Sequence, residues 1–592
     1  MNSFLLIIVF LHLCWVSLSL SAETVCIESE RETLLKLKHH IIDPSNRLSS
    51  WNASLNPNCC HWDGVLCNNI TSHVAELHLS TPFPLYDESL LEDVYEETME
   101  EYIRSPFGGE INPCLVDLKH LNYLDFSYNL FQIPFPSFIT TMTSLTHLNL
   151  SNAGFVGNIP PQIGNLSNLL YLDLSYAANG TIPSLIGNLS NLLHLELTGY
   201  YYENVDWLSS LSKLCYLHLS NTLSIPSFLG SMTTLTHLDL SDYGFMGNIP
   251  SQIGNLSNLA YLDLGYVVDG TIPSQIGNLS NLLYLDLQSY YSFIGNYDWL
   301  SSLSKLEYLG LSGANLSQSF QLLHTLQLLS SLKHLHLSEC THPRYNQPSF
   351  VNFSSLLTLD LSYIAYHSTI SFIPKWVFGL IKLVSLFIYH NYFEGPIPDG
   401  LRNLTLLENL DLHMNSLSSS IPHWLFGVLS HLKFLDLSYN NLQGIIPDAL
   451  GNLTSMVTLD MSNNKFEGPI PTSFGYLCNL REIHFSENKI GGELPVSLGK
   501  LSSLRYLYMS NNQFSGNPFE ILGSLSKLSF LDIEYNCFEG VVIEHHLANL
   551  VSLSHFSAAG NHLTLKVSPN WHPTFQLIYL DISSWKLGPK FE

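Results

Sequence analysis

The chain has 592 residues, and its Asp and Glu residues outnumber its Lys and Arg residues by 49 to 23. The net charge of −26 argues against binding to nucleic acid or to anionic membrane surfaces, and it is compatible with solubility in an acidic extracellular fluid. A chain of this length would ordinarily form several domains, but its internal repeats predict one elongated body instead.

Residues 1–22 contain no charged side chain and include a long apolar run from Phe4 to Leu20. The small residues from Ser17 to Ala22 suit a signal-peptidase site, so we predict a signal peptide that is cleaved between residues 19 and 23. An uncleaved membrane anchor is the alternative, because the apolar run is nearly long enough to span a bilayer.

Residues 23–73 are predicted to form an N-terminal cap. Leu34, Leu37 and Ile41 fall on one face of a helix. A capping box at Ser29–Glu32 would begin this helix, and Asp43–Pro44 would end it. The spacing of the cysteines here favours two disulfides over a zinc site and leaves three pairings open. The cysteines concerned are Cys26, Cys59, Cys60 and Cys67.

Repeats of about 24 residues follow the cap, with Leu or another apolar residue at positions one, four and six, as in Leu145–Pro160 and Met456–Pro471. This period and spacing are those of the leucine-rich repeat. They predict a curved or superhelical solenoid of the α/β repeat class, with a parallel sheet on its concave face and a disulfide-stapled cap at its start. In the first repeat, residues 74–110, we expect an acidic insertion that forms a solvated loop or short helix.

Position nine divides the remaining repeats into two groups. Asn129 occupies it once, the next ten repeats lack Asn, and Asn returns in the following eight. A buried Asn at this position bonds the backbone of neighbouring turns, so we predict irregular repeats over residues 111–382 and regular ones over 383–592. The eight residues are Asn391, Asn415, Asn440, Asn464, Asn488, Asn512, Asn536 and Asn561.

Strand side chains alternate, so positions three, five and seven are predicted to face solvent. A column of Tyr and His at position three beside Asp at position five suits a strip that binds a peptide, a protein or a glycan. The alternative is that duplication copied the consensus without selection for a ligand. The position-three column is Tyr123, His147, Tyr171, His194, Tyr216, His237, Tyr261, Tyr284, Tyr308 and His334. Non-consensus residues expected to discriminate ligands are Phe387, His413, Arg481, His484, Arg505 and Tyr508.

We predict no catalytic, cofactor or metal site, because the sequence lacks the common catalytic motifs and an open solenoid face offers no closed pocket. Asn-x-Ser/Thr sites indicate a secreted glycoprotein. Those predicted to carry glycans are Asn52, Asn69, Asn165, Asn179, Asn188, Asn255, Asn278, Asn315, Asn352, Asn403 and Asn452. Asn149 is left out because it is expected on a strand.

The cap pattern, from Glu30-Arg31 to Cys59-Cys60-His61-Trp62, and the recurring Gly-x-Ile-Pro resemble the extracellular part of plant leucine-rich-repeat receptor-like proteins. That group includes the receptors for fungal ethylene-inducing xylanase and the tomato Cf resistance proteins. The resemblance implies Cys26–Cys59 and Cys60–Cys67 pairing. It also implies ligand recognition in defence or developmental signalling, together with a partner receptor kinase at the plasma membrane.

The last repeat breaks off at Trp585–Glu592, without the closing cap, acidic linker and membrane helix of such receptors. We therefore expect a fragment of a longer gene, at the cell surface if the continuation supplies a transmembrane helix and secreted otherwise. The alternative function is a soluble inhibitor or decoy similar to the polygalacturonase-inhibiting proteins.

Overall fold

The computed structural model describes residues 25–82, 105–200, 202, 204–220, 224–241, 248–266, 271–289, 297–316, 322–340, 353–364 and 372–588. The predicted signal peptide and most of the acidic insertion lie outside these residues. The chain divides into two compact units, one ending at residue 245 and the other beginning at residue 246; residues 87–90, grouped with the second, are not described. Each unit is taken by itself.

The cap of the first unit contains the helix Glu28–His40, on which Leu34 and Leu37 are fully buried. The predicted capping box is wrong, because the helix begins after Ile27 without any side-chain cap. Glu30 is buried and accepts a 2.8 Å hydrogen bond from the backbone N–H of Val74. This carboxylate therefore joins the cap helix to the first repeat strand.

Two disulfides, Cys26–Cys59 and Cys60–Cys67, hold the rest of the cap, so the stapled cap is confirmed with the pairing that the resemblance implies. In the same cap the rings of Trp51 and Trp62 stack with their centroids 5.7 Å apart, and both side chains are buried. After the helix, the short strand Ile41–Ile42 pairs antiparallel with Gly108–Gly109. The cap thus covers the start of the repeat core.

The repeats of the first unit contribute one short strand each to a sheet that we call the ribbon. Its leucines at positions one, four and six are fully buried, as the spacing predicts. The ribbon opens with Val65–Cys67, antiparallel to Val74–His78, and all later strands are parallel. They are Tyr123–Asp125, His147–Asn149, Tyr171–Asp173, His194–Leu197, Tyr216–Leu219 and His237–Asp239. The 3₁₀ helices that lie between ribbon strands in sequence are Pro113–Asp117, Ser137–Thr141, Pro161–Asn165, Ser184–Asn188, Asp206–Ser210 and Ser227–Ser231.

The second unit continues the same repeat and has its own parallel ribbon. Its strands are Tyr261–Asp263, Tyr284–Asp286, Tyr308–Gly310, His334–His336, Thr358–Asp360, Ser385–Phe387, Asn409–Asp411, Phe434–Asp436, Thr458–Asp460, Glu482–His484, Tyr506–Tyr508, Phe530–Asp532, His555–Ser557 and Tyr579–Asp581. Its 3₁₀ helices are Ser251–Asn255, Ser274–Asn278, Asp298–Ser302, Lys375–Gly379, Asp399–Asn403, Asp448–Asn452, Thr472–Tyr476 and Val496–Lys500. Its α-helices are Leu322–Leu326, Leu425–Val428, Phe519–Leu522 and Glu544–Leu547. Stacked repeats, parallel strands and a buried leucine core confirm the leucine-rich-repeat solenoid.

A second parallel sheet of nine strands runs through the nine repeats from Leu383 onward, eight of which carry Asn at position nine. At Asn512, Oδ1 accepts from the backbone N–H of Ile490 at 3.0 Å, and Nδ2 donates to the carbonyl of Phe485 at 2.8 Å. The Asn ladder is therefore present and satisfies backbone groups of neighbouring turns. The strands are Glu394–Gly395, Ser416–Ser419, Asn441–Ile445, Lys465–Gly468, Lys489–Glu493, Gln513–Gly516, Cys537–Ile543, His562–Lys566 and Lys586–Leu587.

Other side chains take over ladder bonds in some repeats without Asn, including that of Trp585, whose Nε1 donates to the carbonyl of Ala558 at 2.9 Å. In the first unit, the buried Tyr200 hydroxyl donates to the carbonyl of Leu174 at 2.8 Å and accepts from the N–H of Ala178 at 3.0 Å. In the second unit, Sγ of the buried Cys340 lies 3.1 Å from the carbonyl of Leu311, and burial raises the pKa of this thiol to about 12. Loss of Asn therefore does not by itself leave the backbone unsatisfied.

Candidate ligand-binding surface

The position-three side chains of the first unit form one continuous ring stack on the solvent face of the ribbon. Centroid distances run from 3.8 Å, between His194 and Tyr216, to 6.0 Å, between His147 and Tyr171. Neighbouring rings lie within 28° of parallel from Tyr123 to His237. Parallel strands place position three of each repeat beside the same position of the next, so the predicted column is a physical stack in this unit.

In the second unit Tyr261, Tyr284 and Tyr308 stack at 4.1 Å, and His334 lies 6.4 Å from Tyr308. Where the rings stack at about 4 Å they cover one another's faces, so this part of the column presents ring edges and polar atoms to solvent. Burial raises the pKa of the Tyr284 and Tyr308 phenols, so these hydroxyls remain protonated hydrogen-bond donors.

The Asp residues at position five have a structural role that our reading of the sequence missed. In each of the eleven repeats that carry it, Asp Oδ1 accepts a hydrogen bond of 2.7–3.0 Å from the backbone N–H two residues later. This Asx turn bends the chain out of the strand. Asn149 makes the same bond to Ser151, so an amide fills this role as well as a carboxylate does.

The second oxygen, Oδ2, is held by tyrosines of the aromatic column in two repeats of the second unit. Tyr261 donates to Asp263 at 3.3 Å, and Tyr284 and Tyr308 both donate to Asp286, at 3.5 and 3.3 Å. The two columns therefore form one hydrogen-bonded surface in which the phenols stabilise the carboxylates.

The buried Asp173 makes the folding stability of the chain depend on pH. Burial, and then the neighbouring Glu196 carboxylate, raise the pKa of Asp173 from 3.8 to about 6. The native state thus holds this proton more tightly than the unfolded chain does, so stability declines as pH rises from about 4 to 6. We expect Asp173 to cost about 1–3 kcal/mol of unfolding free energy at pH 7 relative to pH 4.

Asp173→Asn keeps the Asx turn but cannot ionise, so it should remove this loss of unfolding free energy. Denaturant unfolding at pH 4 and at pH 7 should then show a smaller difference in stability for the variant than for the unaltered chain. Glu196→Gln removes only the second cause and should flatten the profile less. Identical profiles for all three chains would contradict this assignment.

The predicted discriminating residues do not form one group. His484, Tyr508 and Phe530 form a second stack, with centroids 4.2 and 4.6 Å apart. Further along the ribbon, Phe387 is half-buried at position five, and His413 stacks on Tyr389 at 4.6 Å. The exposed Arg481 and Arg505 precede their strands, at position two. No Lys or Arg occupies position three, five or seven of the repeats that form the described ribbon strands.

Most of the predicted glycan sites lie away from the ribbon. Six end a 3₁₀ helix and are exposed: Asn165, Asn188, Asn255, Asn278, Asn403 and Asn452. Asn69 and Asn179 are also exposed, Asn52 and Asn315 are half-buried, and Asn352 lies outside the described residues. The ribbon surface is therefore left open beside a face on which glycans are expected.

Family comparisons agree with this architecture. Residues 27–68 match the leucine-rich repeat N-terminal domain, residues 414–590 match a leucine-rich repeat region, and three further segments match single leucine-rich repeats, at 144–166, 234–256 and 382–404. Similar proteins include receptor-like protein EIX1 of Solanum lycopersicum, 31% identical over 202 residues, and receptor-like protein EIX2 of the same plant, 34% identical over 141 residues. The chain is a leucine-rich-repeat protein that is similar, over part of its length, to plant receptor-like proteins.

The similarity to these relatives is partial. The EIX1 match covers 34% of this chain and 17% of the relative, and the EIX2 match covers 24% and 12%. Among solved structures, the chain is similar to the leucine-rich-repeat ectodomain of the Arabidopsis thaliana receptor kinase GASSHO1/SCHENGEN3, solved in complex with CASPARIAN STRIP INTEGRITY FACTOR 2. The TM-score is 0.59 at 26% identity, covering 91% of this chain and 64% of that one.

Within the described residues, no helix combines the length and apolar character needed to cross a membrane.

Proposed function

We propose that this chain is the extracellular recognition region of a plant receptor-like protein, with no catalytic role of its own. It enters the secretory pathway, binds a peptide or protein segment across the ribbon and acts at the cell surface with a partner receptor kinase. Its kinship with receptor-like proteins supports this role, as does its similarity to a receptor-kinase ectodomain that was solved with a bound factor.

The single observation that carries the choice of ligand is the ring stack. Sugars bind aromatic side chains mainly through the ring faces, and here neighbouring rings cover those faces at 3.8–4.3 Å in the tightest part of the column, around Tyr216. What remains is a row of hydroxyl and imidazole edges beside carboxylates. Such a row suits the amide groups and side chains of a polypeptide better than it suits a glycan.

Charge narrows the class of ligand further. Asp or Glu occupies position three, five or seven in many repeats. In the repeats that form the described ribbon strands, neither Lys nor Arg occupies any of these positions. An approaching basic segment would gain favourable long-range attraction, and an acidic one would be repelled. The proposed ligand is therefore a polypeptide segment rich in Lys and Arg.

Selection from a random peptide library on the secreted chain tests this proposal. We expect binders enriched in Lys and Arg, and Tyr216→Ala combined with His237→Ala should weaken their binding at least tenfold by opening the centre of the stack. Lys213→Ala, an exposed change outside the ribbon columns, is the matched control and should leave affinity unchanged. Binders that are acidic, or that ignore the double substitution, would contradict the proposal.

A further inference from the structure

One stretch of the second unit differs from Asp263 and Asp286 in how the position-five carboxylates are held. Asp411, Asp436 and Asp460 lie on adjacent parallel strands in direct register. Each is more than nine-tenths buried, with 7%, 5% and 8% of its surface exposed. Three neighbouring buried carboxylates repel one another unless a proton or a cation compensates them.

The phenol donors that serve Asp263 and Asp286 are missing here. Position three holds Phe434, whose side chain has no hydrogen-bonding group, Asn409, whose Nδ2 donates to Ser385 at 2.9 Å, and the buried Thr458, which has a hydroxyl but no phenol. Oδ1 of Asp436 accepts from the N–H of Ser438 at 2.7 Å, as in every Asx turn of the ribbon. Its Oδ2 is directed instead towards the imidazole of His413, at 3.8 Å, beyond hydrogen-bonding distance.

His413 brings a nitrogen donor between two of the carboxylates. Its Nδ1 lies 2.7 Å from Oδ1 of Asp411 and 3.8 Å from Oδ2 of Asp436. Ligand atoms of the three residues all lie within 4.8 Å of one another. Donor atoms around a tetrahedral zinc ion are about 3.3 Å apart, so the two measured separations bracket the required spacing.

We infer that Asp411, His413 and Asp436 form a divalent-metal site that takes Zn²⁺. The mixed nitrogen and oxygen donors favour zinc over calcium, which prefers oxygen ligands alone. Asp460, next to Asp436, adds negative charge beside the ion. Three protein ligands leave a coordination position for water or for a group on a bound molecule. This site stands independently of the proposed ligand.

The test is a titration of the secreted full chain with zinc in competition with a chelator of known affinity, followed by the same titration of variants. Asp436→Asn keeps the Asx turn, as Asn149 shows, but removes the charge. His413→Phe keeps the ring that stacks on Tyr389 but removes the nitrogen donor. We expect one high-affinity zinc ion per chain, and each substitution should weaken its binding at least tenfold.

Asp286→Asn is the matched control, because its carboxylate also forms an Asx turn but is held by two phenols. It should leave zinc affinity unchanged, and calcium should not compete. Absence of zinc binding overturns the assignment. So does zinc binding that both Asp436→Asn and His413→Phe leave intact, which is the result expected of adventitious binding at His545 and His546. If one variant is not secreted, the other decides.

Discussion

Removing the Cys26–Cys59 disulfide, by Cys26→Ala with Cys59→Ala, is expected to reduce secretion sharply and to expose the cap to protease. The bond closes a loop of 33 residues, so the chain-entropy model gives about 3.7 kcal/mol of stabilisation. Cys59 is fully buried, and the loop that it closes contains the helix that covers the repeat core. Loss of this bond should therefore loosen the junction with the first repeat as well as the cap.

The second disulfide provides an internal comparison. Cys60–Cys67 closes only seven residues, for which the same model gives about 2.4 kcal/mol. Cys60→Ala with Cys67→Ala should thus be the milder change, and Cys215→Ala, at a half-buried free cysteine, should be milder still. Secreted yield and limited proteolysis of the cap would rank the three. An equal or reversed ranking would show that the cap does not depend on loop closure.

The fold was predictable from the sequence because one requirement repeats along the whole chain. Apolar side chains at positions one, four and six must be buried against neighbouring repeats, and the structure buries them. Local chemistry at single positions was less predictable. Glu30 is the clearest example: it lies inside the expected capping box at Ser29–Glu32, and only the position of the first strand shows that its carboxylate is buried against Val74.

The candidate surface was predictable as a set of columns but not in its chemistry. The recurring Asp followed two residues later by Ser is a recognisable Asx-turn signal, and it would have shown that one oxygen of each Asp is already committed. Which second oxygens receive a phenol donor depends on the residues at position three. Asp286 faces tyrosines and Asp436 faces Phe434, a difference that appears only once the strands are in register.

The repeats from Asn391 onward should depend on their buried Asn ladder more than on exposed polar contacts of similar length. Asn512→Ala removes the acceptor for the N–H of Ile490 and the donor to the carbonyl of Phe485, both in a buried environment. Buried backbone groups left without partners cost about 1–3 kcal/mol, so we expect destabilisation of that size, centred on these repeats.

Asn479→Ala is the matched control. Its Nδ2 also reaches a neighbouring turn, at 2.9 Å from the carbonyl of Thr454, but the residue is exposed, so the effect on the unfolding free energy should stay within about 0.5 kcal/mol. Hydrogen exchange gives the decisive readout, because the Ile490 amide should lose protection in Asn512→Ala and keep it in Asn479→Ala. Unchanged protection at Ile490 would mean that the ladder does not hold neighbouring repeats together.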